Sequence, residues 1–247
     1  MLADGIRVLL VLQLFNFSLG AKKIHWEYSH KQVTKPNTTF AVSDTMGARL
    51  SCLSEIQSTI IDTFKDFLDG PHQIGYADPA ANGNLGDQLL WAGSNKLFER
   101  FGKHPVLYCG GSQTKDFIKP CSSDAAKAEI KEKLLDTPEK GILWYNPGGN
   151  WGNLYRHVQV ARFSVWEYAS SLGIPFVSGP QSIYYLENSH AVKNDADYIK
   201  TIASKSDLLT FRQHNSFLSA QELYGQSATV RESPDMAFML GMLFLIF

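Results

Sequence analysis

Five short apolar runs recur along the chain at nearly constant spacing. They begin near His72 ("HQIGYAD"), Pro105 ("PVLYCGG"), Gly141 ("GILWYNPGG"), Ile174 ("IPFVSGP") and Asp207 ("DLLTFR"), 33, 36, 33 and 33 residues apart. The runs differ too much from one another to be copies of a helical repeat. The same period is about the length of one βαβ unit. Amphipathic stretches fit between them: Leu90, Leu97 and Phe101 share one helix face, and Leu154, Val158, Ala161, Val165 and Leu172 share another, with Gly173 as a stop. Such alternation predicts an α/β fold, a Rossmann-like parallel sheet with helices on both faces. Upstream, Leu50, Leu53, Ile56, Ile60, Ile61, Phe64, Phe67 and Leu68 mark a long amphipathic helix from Arg49, closed by Gly70-Pro71.

Each expected strand is followed by a polar segment: "DPAANGNLGD", "NPGGNWGN", "SGPQS" and "RQHNS". In an open parallel sheet these segments gather at the carboxyl edge, where ligands bind. Turns after strands are rich in Gly, Asn and Ser in any case, so a purely structural role is the alternative. Asn84 and Gly86 in the first segment, and Gly148, Gly149 and Asn150 in the second, are placed to bring backbone N–H groups to an anion at a helix start. Neither segment has the spacing of a dinucleotide or P-loop motif. Asp87 either caps the following helix or accepts a proton from a sugar hydroxyl. Arg212 ends an apolar strand, where its guanidinium would hold a phosphate or carboxylate in a two-pronged contact or form a structural ion pair. Gln181 and Ser182 offer neutral hydrogen bonds of the kind used on sugars, and Ser216 lies in the last segment. His157 and His214 fall near the same edge as isolated histidines, for which a structural role is expected.

The rest of the chain bears on compartment and partners. Arg7 precedes "VLLVLQLFNFSLGA", with Ser18 and Gly20 at a cleavage-like position, so residues 1–21 read as a signal peptide or a short N-terminal anchor. Residues 22–48 read as a polar stem that includes the sequon Asn37-Thr38-Thr39, and residues 49–247 as the folded domain. Entry into the secretory pathway is expected, ending in the Golgi or ER lumen or outside the cell. Membrane contact is expected only through an uncleaved anchor. A net charge of −1 without blocks of like charge argues against nucleic acid as a partner. With 44% hydrophobic residues the chain has enough apolar material for a large core. Three cysteines, Cys52, Cys109 and Cys121, show no metal-ligand spacing; a Cys109–Cys121 bridge and free thiols both fit.

Taken in order, "GNLGDQL", "GGNWGN", "GPQSI", "RQHNS" and "PDMAF" resemble the polysaccharide pyruvyl transferase family, over roughly Gly75 to Gly241. The resemblance implies one half of a glycosyltransferase-B-type fold. It implies phosphoenolpyruvate as donor substrate, a glycan sugar diol as acceptor, a pyruvate ketal as product and no cofactor or metal. It places Asp87 and Arg212 among catalytic groups, with Arg212 on the donor anion. Asn84, Gly86, Gly148, Gly149, Asn150, Gln181, Ser182 and Ser216 would contact substrate. Asn153 and Gln213 stand where the family usually carries acids. The family continues beyond "PDMAF" into a donor-binding domain with further basic groups and a His, whereas this sequence ends in "MLGMLFLIF". A domain truncated at its C-terminus is therefore expected. A non-catalytic carbohydrate-binding relative and a nucleotide-sugar glycosyltransferase of the same architecture are the alternatives.

Overall fold

A computed structural model describes residues 46–70, 72–80, 84–110, 118–152, 156–184, 200–201, 204–224 and 229–244. All of them belong to one compact unit, residues 44–247. The leader, the sequon, Gly83 and Asn153 lie outside the described residues, as does all but the last part of the expected stem. For Asn150 and His157 only the backbone is described.

The alternation read from the sequence is present in space. Helix α1 (Met46–Leu68) precedes strand β1 (Ile74–Ala77), followed by α2 (Leu85–Arg100), β2 (Pro105–Cys109), α3 (Asp124–Leu134), β3 (Ile142–Tyr145) and β4 (Gly148–Gly152). Then come α4 (Arg156–Ser171), β5 (Phe176–Tyr184), β6 (Leu208–Phe211), α5 (His214–Tyr224), β7 (Val230–Glu232) and a 3-10 segment, Met236–Phe244. The seven strands form a parallel sheet ordered β2-β1-β3-β5-β6-β7, with β4 also paired to β5. β1, β3 and β6 are buried along their whole length, as expected for strands covered on both faces.

Alternate residues feed two separate cores. Ile74, Tyr76, Ile142, Trp144, Val177 and Leu208 point to the face covered by α1, α2 and the 3-10 segment. Ala77, Leu143, Tyr145, Phe176, Leu209 and Phe211 point to the face covered by α3, α4 and α5. Period-two alternation in each strand thus supplies both layers. Trp144 fills the middle of the first core, its ring 4.9 Å from Phe64 and 5.0 Å from Phe98. The strand order reverses between β1 and β3, so the carboxyl edge there is the crevice in which open α/β sheets take ligands.

Two expected loops are strand. "GGNWG" is β4, and "SGPQS" lies inside β5, which runs four residues past Pro180. The reason is local. β3 and β4 lie in succession along β5, interrupted at Asn146-Pro147, and the register of β5 with β6 shifts between Ser178 and Gln181. Pro147 and Pro180 have no N–H to give a ladder, and a Cβ on Gly179 would stand 2.8 Å from the Pro147 ring. Tight approach and missing donors break the ladder without ending the strand. At the far end Gly152 has φ +117, and a Cβ there would lie 1.7 Å from the Tyr184 carbonyl oxygen. Only glycine fits that crossing. β7 carries just three residues and shows no period to read.

Cys109 and Cys121 form a disulfide at the end of β2, closing a loop of 12 in sequence separation, while Cys52 is free and exposed. α1 starts at Met46, within the span expected to be stem. The apolar tail packs on the first core: Met236 is fully buried, Met239 nearly so, and the Gln57 side chain of α1 donates to the Phe238 carbonyl at 2.9 Å. Helix α2 admits this segment through Gly93, where a Cβ would fall 2.1 Å from the Met236 oxygen. No helix among the described residues is long and apolar enough to cross a membrane.

Candidate functional site

A cleft of about 470 Å³ opens at the carboxyl edge, lined by the first turn of α2, by Arg212 after β6, and by Asp235 and Phe238 after β7. Four residues singled out in the sequence line it: Asn84, Gly86, Asp87 and Arg212. They come from two segments about 125 positions apart, joined in space because β1 and β6 end at the same edge of the sheet.

The α2 end differs from the expected anion cradle. Asn84, not Asp87, is the N-cap: its side-chain oxygen accepts from Gly86 N at 2.9 Å. The Gly86 N–H is therefore occupied by the cap, and Asp87 brings a carboxylate into the first turn. The helix start thus commits the Gly86 N–H to its own cap and carries a negative charge, and the Asp87 carboxylate lines the cleft as an acceptor. "GGNWG", as strand β4, offers no helix start either.

Arg212 is held on two sides. Its Nε donates to Ser182 Oγ at 2.8 Å and its Nη1 to Asp235 Oδ2 at 2.7 Å. Its backbone N–H donates to Gln181 O at 2.9 Å, fixing the root of the side chain to β5. Gly149 of β4 lies beneath the fork, where a Cβ would be 3.6 Å from Nη2. A guanidinium has five N–H donors, so the two described bonds leave three for a ligand. Among the described residues the lining carries one cation, Arg212, and two carboxylates, Asp87 and Asp235.

Gln181 and Ser216 lie behind the cleft. The Gln181 side chain is completely buried, and its Nε2 donates to Asn146 O at 2.8 Å and Gly179 O at 3.0 Å. It supplies side-chain donors where the flanking prolines have none. Asn146 in turn accepts from the Tyr76 hydroxyl through Oδ1 and donates to Pro147 O, while Thr210 Oγ1 donates to Ser178 O at 2.7 Å. Burial pushes the Tyr76 hydroxyl well above its ordinary value of 10.0, keeping it a neutral donor. Ser216 Oγ accepts from Ile183 N and donates to Gln213 Oε1, both at 3.2 Å, tying α5 to β5. Gly148 pairs with Gln181 in the sheet. His214 pairs with Glu232 at 3.1 Å on the exposed rim.

Sequence reasoning passed over Asp235, although it stands in the quoted "PDMAF". No local signal marks it: the strand before it, β7, is three residues long, and only the pairing of β7 with β6 brings Asp235 beside Arg212. Phe238, the last residue of the same motif, is 38% exposed on the cleft wall. Among the described residues no three of His, Cys, Asp and Glu gather to hold a metal ion.

The family model for polysaccharide pyruvyl transferase matches residues 84–245, from the cap of α2 through the 3-10 segment. No curated protein matches the chain. The match covers most of the chain and every described residue of the cleft, and the chain belongs to the polysaccharide pyruvyl transferase family.

Proposed function

We propose that the chain serves the transfer of a pyruvyl group from phosphoenolpyruvate to two hydroxyls of a glycan sugar, forming a cyclic ketal and releasing phosphate. The observation that carries this is Arg212, fixed at two donors with three left over, at the head of a cleft within the family match. Protonation of the donor methylene makes the adjacent carbon oxocarbenium-like. One sugar hydroxyl attacks that carbon, the C–O bond to phosphate breaks, and the second hydroxyl closes the ring. Of the two hydroxyl protons released, one balances the new methyl group and one leaves with phosphate. Arg212 would hold the phosphate or carboxylate of the donor, and Asp87 would orient the diol and take a hydroxyl proton. The apolar wall of Leu89, Ala237 and Phe238 would exclude water from the carbon under attack.

Two observations of different kinds support a compartment. The N-terminal run has the make-up of a secretory leader, and the Cys109–Cys121 disulfide belongs to an oxidising environment. We propose the secretory pathway on that basis.

One cation and two carboxylates among the described lining residues also suit a second reading, in which the cleft holds a sugar and never turns over. Thermal melting of the purified chain separates the two. The proposed function predicts a clear rise in midpoint with millimolar phosphoenolpyruvate, because a ligand bound only by the folded state stabilises it. It also predicts phosphate release that depends on an added galactoside or hexosaminide. A rise with the glycoside alone, and none with phosphoenolpyruvate, would leave the binding role.

A further inference from the structure

We propose, on the basis of Arg212 as the donor-anion ligand, that Asp235 is the positioning residue that sets its guanidinium. The carboxylate is bonded at both ends. Oδ2 accepts from Arg212 Nη1 at 2.7 Å, and Oδ1 accepts from the backbone N–H of Ala237 at 2.9 Å, capping the 3-10 segment. The base of this strut is itself fixed. The next residue, Met236, is fully buried, and its carbonyl rests against Gly93 of α2 at a distance no side chain would allow. Asp235 therefore cannot follow the guanidinium if it swings; it defines where the guanidinium sits.

Stability does not explain the pair. Arg212 and Asp235 are only 24% and 27% exposed, and the cost of taking both charges out of water offsets much of their attraction. Nor does attraction to the donor, since a carboxylate beside the anion opposes its binding. What the pair supplies is geometry. With Nε on Ser182 and Nη1 on Asp235, the plane of the fork is fixed and the remaining N–H groups present one orientation to a phosphate or carboxylate. Without Asp235 the long side chain samples other rotamers and must be ordered by the ligand, at a cost to affinity.

The two roles have opposite signs. Phosphoenolpyruvate is titrated calorimetrically into the full chain, Asp235→Ala, Asp235→Glu and Arg212→Ala. Positioning predicts about tenfold weaker binding for Asp235→Ala, the loss expected for an immobilised side chain set free. It predicts a smaller loss for Asp235→Glu, which keeps the charge but moves it by one methylene. Unchanged or tighter binding in Asp235→Ala would overturn the proposal. If Asp235→Ala does not fold, Asp235→Glu decides alone: wild-type affinity would overturn it. A ligand-free readout completes the test. The Arg212 Nε–H resonance, identified by its loss in Arg212→Ala, should be sharp in the wild type and broaden or shift to the free-arginine position in Asp235→Ala. A sharp, unmoved resonance would overturn the positioning role. Wild-type affinity in Arg212→Ala would instead overturn the assignment of Arg212, whatever Asp235 does to the resonance.

Discussion

At the scale of single residues, the site divides into groups that face the cleft and groups that hold those groups in place. Gln181 belongs to the second kind. Its amide donates to two carbonyls beside Pro147 and Pro180, and it is completely buried. Gln181→Met keeps the volume and removes both donors, so it should lower stability by about 1–3 kcal/mol, measured by urea denaturation. Phosphoenolpyruvate affinity of the folded variant should change less than in Arg212→Ala. Tyr76 gives a pH dependence whose sign is fixed by burial. Its folded pKa lies above the unfolded value near 10.0, so its contribution is complete below pH 10 and is lost as pH rises beyond it. Tyr108, raised by its own partial burial, adds in the same direction. The melting midpoint should fall steeply above pH 10 in the wild type and less steeply in Tyr76→Phe. Residue types and order were readable from the sequence for Arg212 and Asp87, since a cation just past a strand, or an acid in the first turn of a helix, has few places to go. The burial of Gln181 was not, because it depends on which strand lies beside residues 146–147, and no local pattern records that.

At the scale of elements, the five apolar runs all became strands at their expected places, because each holds a short apolar stretch with Gly, Pro or Asp at one end or the other. The polar segments beyond them were harder to read. Gly, Asn and Pro mark turns in most settings, yet here "GGNWG" and "SGPQS" pair with each other as β4 and the far half of β5. Composition argued for loops; tertiary pairing prevailed. The crossing of β4 and β5 rests on Gly152, whose positive φ and contact with the Tyr184 carbonyl leave no room for a side chain. Gly152→Ala should destabilise the protein by about 3 kcal/mol or more, or prevent folding, because backbone strain and a backbone clash act together. A melting midpoint within about 2 °C of wild type would show that this crossing is not as described. β7 and the 3-10 segment were missed for a simpler reason: one is three residues long and the other has no polar residue to set a period.

At the scale of the whole molecule, one sheet and two cores bring the cap of α2, the end of β6 and the start of the 3-10 segment to a single edge. The disulfide ties down the flank of that edge beyond β2. Replacing Cys109 and Cys121 by Ser should cost about 3 kcal/mol from the entropy of a loop with a 12-residue separation, seen as a shift in urea midpoint. Reducing agent should reproduce that shift in the wild type and leave the double variant unaffected. The central claim is narrower: this edge holds the donor anion, and Arg212 is what holds it. Phosphorus NMR of phosphoenolpyruvate, titrated with the full chain and with Arg212→Ala, tests it most directly. The phosphate resonance should shift or broaden with the wild-type chain and stay at its free position with the variant. An equal response to both chains, or none to the wild type, would contradict the claim.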